Sequence, residues 1–268
     1  MPHRYEDDWN ELARREPYFA VLTDRQFLSA NLDDAARRAF FGSGEADVER
    51  LFAAIGNDFY PRTALDFGCG VGRLTRALAG RVEEAAGCDV SAEMIARARE
   101  NVPNAAFVTS LEQVGDRRFD LIVSLIVFQH IPPEEGLRTL SALLRLLAPG
   151  GVAALHFTLR RPGGALRRAA RALRARLPWL HRLAQRWEGD ELRLPYMQMN
   201  EYDGAQVRRR IVEETGSEPR IIPRREGDIE GALFLTTPRS AAPPDAPSPH
   251  SPGSRTSLRT PGDSTPGR

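Results

Sequence analysis

Lysine is missing altogether: all 37 basic residues in the 268-residue chain are arginine. These arginines are spread through every segment, so they read as a compositional bias rather than as a site. With a net charge of +1, bulk electrostatics selects no polyanionic partner. Cysteine is nearly absent too. Its two copies are Cys69, inside a glycine-rich stretch, and Cys88, at the end of an apolar run. They exclude a disulfide framework, suit a reducing cytosol and read as small packing residues. No apolar run approaches the ~20 residues that span a bilayer; the longest is Leu121 to Phe128. The opening M-P-H-R-Y-E-D-D-W-N is too acidic and polar for a secretory leader. A cytoplasmic protein of one domain with appendages is therefore expected, and no residue grouping points to a metal.

What the chain does contain is organised around A-L-D-F-G-C-G-V-G, from Ala64 to Gly72. An apolar lead-in (Thr63, Ala64, Leu65, Phe67) runs into Gly68, Gly70 and Gly72 and then into a helical pattern, which predicts a strand, a tight turn and a helix. Glycines without Cβ let a ligand lie against bare backbone N–H groups at the start of that helix. A dinucleotide fingerprint needs a glycine five positions after its first, but counting from Gly68 gives Arg73 and from Gly70 gives Thr75. Asp66, two residues before the first glycine, would repel a pyrophosphate, so a cationic ligand suits the loop better.

A second strand is expected from about Ala85 to Asp89. That places Asp89 at its carboxyl end, where doubly wound sheets hold an acid that accepts from both ribose hydroxyls. Ser91, in S-A-E-M-I, is the better cap for the helix that follows. Ala105 to Val108 reads as a third strand, and F-D-L-I-V-S-L from Phe119 as a central parallel strand covered on both faces. Leu137 to Leu147 carries a leucine face and runs into P-G-G, with a fifth strand from Val152 to Leu159. Amphipathic spacing predicts a helix from Glu45 to Phe59, with G-S-G at Gly42 to Gly44 as punctuation before it. A helix from Glu201 to Glu214, capped by Asn200, leads to strands at Arg220 to Pro223 and Gly231 to Thr236.

With its D-x-G-x-G-x-G segment the chain resembles the class I S-adenosylmethionine-dependent methyltransferases, and the I-V-F-Q-H-I-P-P and L-A-P-G-G segments match that family in the right order. The resemblance covers roughly residues 45 to 236. It implies an α/β fold, Rossmann-like and doubly wound, with a mostly parallel seven-stranded sheet and helices on both faces. It also implies S-adenosyl-L-methionine as cofactor. Asp66, Gly68 and Gly70 would lie at its methionine end, and Met94 against the adenine. The acid that family members often carry after the third strand is replaced by Thr109 and Ser110, leaving Ser110 and Leu111 for the adenine. Ser124 is counted with the cofactor residues. His130 is the candidate catalytic base, with the ordering of its loop as the alternative.

Residues 1–43, rich in aromatics, are expected to form a helical cover, and the family pattern would let Tyr18 or Phe19 close over the cofactor. Residues 44–238 would form the methyltransferase domain. Within it, 160–195 is an arginine-rich helical insertion with nine arginines between Arg160 and Arg186 and no acid. That insertion reads as a packed cover with a solvated face, a substrate lid, or a helix touching anionic lipid through 160–187. Tyr196, Met197, Met199 and Tyr202 are candidates for a substrate pocket, and 239–268, rich in Pro, Ser and Gly, is expected to be disordered. The resemblance implies O-methylation of a small-molecule acceptor: a sugar, glycolipid or secondary metabolite. A nucleic acid methyltransferase and a non-catalytic S-adenosylmethionine-binding protein are the competing readings.

Overall fold

The computed structural model describes residues 3–56, 58–163, 194–195 and 197–238. Residues 164–193 of the expected arginine-rich insertion, Tyr196 and the tail 239–268 lie outside them. The chain begins with α1 (His3–Arg15), α2 (Pro17–Val21) and α3 (Asp34–Ile55). It then alternates through β1 (Thr63–Phe67), α4 (Arg73–Ala79), β2 (Glu84–Cys88), α5 (Ala92–Asn101), β3 (Ala106–Val108), β4 (Phe119–Ser124), α6 (Pro133–Arg145) and β5 (Leu147–Arg160). It closes with α7 (Gly204–Thr215), β6 (Arg220–Glu226) and β7 (Ile229–Thr236).

The strands form a seven-stranded sheet in the order β3-β2-β1-β4-β5-β7-β6. The first five pair in parallel, and β7 runs antiparallel to both β5 and β6. This is the doubly wound arrangement expected from alternating strands and helices. Because a strand alternates faces, neighbours in β1 separate into two cores. Leu65 joins Leu140, Leu143, Val207 and Ile211 of α6 and α7, whereas Ala64 joins Val48 and Leu51 of α3 and Leu74 and Leu78 of α4. Chain order reverses between β1 and β4, and the loops after their carboxyl ends open there into one crevice.

Four local expectations are corrected. The G-S-G at Gly42 to Gly44 does not punctuate: α3 runs through it. A Cβ on Gly44 would sit 2.4 Å from the Arg73 carbonyl oxygen, so this glycine permits close crossing of α3 over α4. Its helix-propensity penalty of about 1 kcal/mol is offset by burial of Phe40, Phe41, Val48 and Leu51 along the same helix. Second, α6 begins four residues earlier than its leucine face suggests, at Pro133, a residue preorganised for a first helical position. Third, P-G-G is not a terminator but an irregularity within β5: the register with β4 shifts there, and a Cβ on Gly151 would meet the Phe119 and Asp120 carbonyls. Fourth, the cap of α7 is Asp203, which accepts from the Ala205 N–H at 2.9 Å, and Asn200 is used elsewhere.

Candidate active site

β1 drives into a turn in which Gly68, Gly70 and Gly72 all have positive φ (76°, 51° and 89°), a conformation closed to most side chains. The expectation of bare N–H donors is corrected. Gly68 and Cys69 donate to the Cys88 carbonyl at 2.7 and 3.1 Å, Gly72 donates to the Cys69 carbonyl, and Gly70 donates to Asp89 Oδ2 at 2.9 Å. What the glycines supply is room, since a Cβ on Gly68 would strike Val127 and one on Gly70 would strike Val21. A loop whose amides are already spent is a poor phosphate cradle, in keeping with the failed dinucleotide pattern.

A cavity of about 290 Å³ lies over this turn, and Asp66, Gly68, Gly70, Asp89, Met94, Ser110, Leu111 and His130 all line it. Asp66 is 1% exposed and accepts from the Thr75 hydroxyl at 2.7 Å. Burial pushes its carboxyl up to about 6, against the opposing pull of the Thr75 hydroxyl and the Arg73 charge. Arg73 is itself tied to Asp47 at 2.8 Å and to the Ser43 hydroxyl, which fixes the start of α4 to α3.

Asp89 stands just past the end of β2. Its Oδ1 accepts from the Ser91 N–H and its Oδ2 from the Gly70 N–H, both at 2.9 Å, so each oxygen retains accepting capacity toward the cavity. Burial raises its pKa, partly countered by those two amides. Ser91 caps α5 by accepting from the Met94 N–H, as its sequence predicts. Ser124 is corrected: it does not line the cavity. It is fully buried in β4, its hydroxyl finds no hydrogen-bond partner, and the cavity wall is made by Leu125, Ile126 and Val127 after it. Ile126 has φ 61°, strained for a β-branched side chain and the one non-glycine positive φ among the described residues.

His130 sits in a 3-10 turn, Phe128–His130, after β4. Its Nδ1 lies 2.7 Å from the Gln198 carbonyl oxygen, which can only accept, so Nδ1 carries the proton. Nε2 then accepts from the Gln129 amide at 3.2 Å, and Gln129 Oε1 accepts from the Thr158 hydroxyl. Asn200 and Tyr202 bond the Gln129 and Ile131 carbonyls, lacing the 197–203 segment to this turn. Burial pushes His130 down to about 4, and the charge of Arg161 acts in the same direction.

Among the lining residues that escape the sequence reading are Trp9 and Glu112. Trp9 of α1 meets the His130 ring edge-on at 5.1 Å and roofs the cavity together with Ala20 and Val21. Tyr18 instead turns inward, bonded to Asn101 and Arg37 and packed on Phe40, while Phe19 packs in the same N-terminal cluster. The spacing of Trp9 with the buried Leu12 and Ala13 was the available signal. Glu112 reaches the cavity edge two residues beyond Ser110. The hydrogen bond with Ser110, and one from its own backbone, hold its carboxyl below the usual range. The S-L-E spacing around a 3-10 turn, Leu111–Val114, carried that signal.

Residues 64–151 match the model of a family described as a methyltransferase domain. A trans-aconitate 2-methyltransferase of Methylobacterium radiotolerans is 38% identical over 125 residues, 44% of this chain and 46% of that protein. A carboxy-S-adenosyl-L-methionine synthase of Chromohalobacter salexigens is 35% identical over 168 residues, 55% of this chain and 62% of that protein. The chain spans about half the length of the curated relatives it matches. Among solved structures, magnesium protoporphyrin IX methyltransferase from Synechocystis PCC 6803 with bound SAH aligns at a TM-score of 0.61. That alignment has 18% identity and covers 88% of this chain and 98% of that one, a likeness of fold. Sheet order and structural likeness together give this chain the class I, Rossmann-like methyltransferase fold, and its segment 64–151 is similar to a methyltransferase domain.

Proposed function

We propose that the protein transfers the methyl group of S-adenosylmethionine to an oxygen atom of a small molecule. The observation that carries this reading is the cavity of about 290 Å³ over the glycine turn, lined by Asp66, Asp89 and Met94 and covered by Trp9, Ala20 and Val21, a size that suits a small ligand. The residues present fit the cofactor. Asp66 offers a buried carboxylate to its ammonium and sulfonium end, and the side-chain-free Gly68 and Gly70 allow close approach. Asp89 offers an acceptor oxygen to each ribose hydroxyl, and Met94 and Leu111 offer apolar surface to the adenine. Glu112, with Ser110, supplies the acid that the residues directly after β3 lack. When bound, the cofactor supplies an electrophilic methyl group on a sulfonium. The chain's own part is alignment and exclusion of water: the turn at His130 forms one wall of the transfer end and α1 the cover.

Sugars, glycolipids and secondary metabolites are the acceptors that the resemblance suggests, and the trans-aconitate relative adds organic acids to that range. The test is incubation with methyl-labelled S-adenosylmethionine and fractionated bacterial metabolites. Label is expected in a small-molecule fraction and not in RNA or DNA. Binding of S-adenosylmethionine by calorimetry with no S-adenosylhomocysteine formed against any fraction would instead mark a non-catalytic binder.

A further inference from the structure

Arg73 opens α4 directly after Gly72, and although it is only 3% exposed it lines the cavity. Its Nη1 makes two hydrogen bonds, to Asp47 Oδ2 at 2.8 Å and to the Ser43 hydroxyl at 3.2 Å. Its Nε is buried and has no partner. A guanidinium presents five N–H donors, and a buried donor left without a partner carries a desolvation penalty that native structures rarely leave uncompensated. Asp47 does not neutralise this charge, because its Oδ1 also serves Arg50 at 2.8 Å and Arg224 at 3.3 Å. Three guanidinium groups share one carboxylate, and Arg73 is the one of the three that lines the cavity.

The field of Arg73 reaches Asp66, where it pulls the carboxyl down against the effect of burial. Thr75, in the same first turn of α4, donates its hydroxyl to Asp66 at 2.7 Å. One end of the cavity therefore presents a carboxylate and a guanidinium together, the complement of a zwitterion. In the methionine head of S-adenosylmethionine the ammonium and the carboxylate are carried by a single carbon. Whatever receives the carboxylate must stand beside the acid that receives the ammonium.

Resting on the S-adenosylmethionine reading above, we propose that Arg73 is a cofactor-binding residue: it receives the methionine carboxylate on the guanidinium edge that Asp47 and Ser43 leave free, while Asp66 takes the ammonium. Asp47 and Ser43 hold the arginine through Nη1, so little side-chain freedom remains to be lost when the ligand arrives. The arrangement makes the carboxylate a criterion of selection. A ligand with the same adenine, ribose and sulfonium but no carboxylate leaves the guanidinium without its partner. An arginine that only tied α4 to α3 would treat both ligands alike.

The test is calorimetry on the full chain at neutral pH with S-adenosylmethionine and with decarboxylated S-adenosylmethionine, which differs from it in that one group. The parent is expected to bind S-adenosylmethionine about tenfold to a hundredfold more tightly, the worth of a charge-assisted bond. In Arg73→Gln the preference should shrink to about twofold or less, the range within which independent effects simply add. A double variant, Asp47→Asn with Arg73→Gln, replaces the buried ion pair by two neutral amides and guards against a folding defect from a broken pair; thermal unfolding checks each variant before titration. The double variant should lose the preference too. The same preference in the parent and in the folded Arg73 variants, or no preference in the parent, overturns the proposal. A parent that binds neither ligand overturns the cofactor reading and this inference with it.

Discussion

Asp66 holds a charge where the fold alone would prefer none. Burial raises its carboxyl from the ordinary 3.8 to about 6, so its protonated form is the one that folding favours. The sign follows: stability from this group is full below the unfolded pKa and is lost as pH rises through about 6. A shift of that size corresponds to about 3 kcal/mol. Asp66→Asn keeps an acceptor for the Thr75 hydroxyl and removes the charge. The variant is therefore expected to melt higher than the parent at pH 7 and to bind S-adenosylhomocysteine at least about tenfold more weakly, one lost charge-assisted bond being worth about 1.5–3 kcal/mol. Thermal unfolding and calorimetry check the two halves separately. In the parent, affinity for the cofactor product should itself decline as pH falls through about 6, where Asp66 takes up its proton.

Asp89 differs because its two oxygens already serve the Ser91 and Gly70 amides. Asp89→Asn keeps an oxygen for one of them and turns the other into a donor. S-adenosylhomocysteine affinity is expected to fall about tenfold to a hundredfold, from about 1.5–3 kcal/mol in charge-assisted bonds, with a smaller loss of stability. Unchanged affinity by calorimetry would remove the ribose assignment.

At the scale of elements, α3 gives a paired prediction from two glycines in one helix. A Cβ on Gly42 meets nothing within 4 Å, whereas one on Gly44 lies 2.4 Å from the Arg73 carbonyl. Gly42→Ala should stabilise the protein by about 0.5–1 kcal/mol through helix propensity. Gly44→Ala should destabilise it by about 1–3 kcal/mol through overpacking against backbone. Denaturant unfolding of the two variants under the same conditions decides it, and equal effects would mean that the α3–α4 crossing is not tight. The crossing matters for the site, because α4 starts at the glycine turn and the Arg73–Asp47 pair holds that start against α3. Burial alone would raise the Asp47 carboxyl, but Arg73, Arg50 and Arg224 together keep it below its ordinary value. α1 is moored more lightly, by Asn10 accepting from the Ser91 hydroxyl at 2.7 Å and by the Trp9–His130 contact.

For the whole molecule, a ligand that fills a roofed cavity must stabilise the folded state by linkage. S-adenosylhomocysteine at a hundred times its dissociation constant should add about 2.7 kcal/mol, read as a rise in the melting temperature. Amide exchange in α1 should slow at the same time as the roof closes on its contents. An absent thermal shift at saturating ligand would contradict the cavity assignment.

The local features of this site were legible in the residues themselves. Asp66, the three glycines, Asp89 and the Ser91 cap stand within two consecutive strand–turn–helix repeats, and their local geometry depends largely on neighbours a few positions away: a strand end, a positive φ, an N–H two or three residues on. The fold class was implied by the family resemblance, and the observed strand order agrees with it. Tertiary structure decided what depends on segments far apart in the chain. It put Trp9, and not Tyr18 or Phe19, over the cavity, because Asn10 docks α1 on the start of α5. It withdrew Ser124 into the sheet, spent the loop amides on Cys88 and Asp89, and closed both nitrogens of His130 with Gln129 and the distant Gln198. A sequence states which polar groups exist, but packing determines which of them are still unsatisfied when a ligand arrives, since burial drives most donors and acceptors to find a partner.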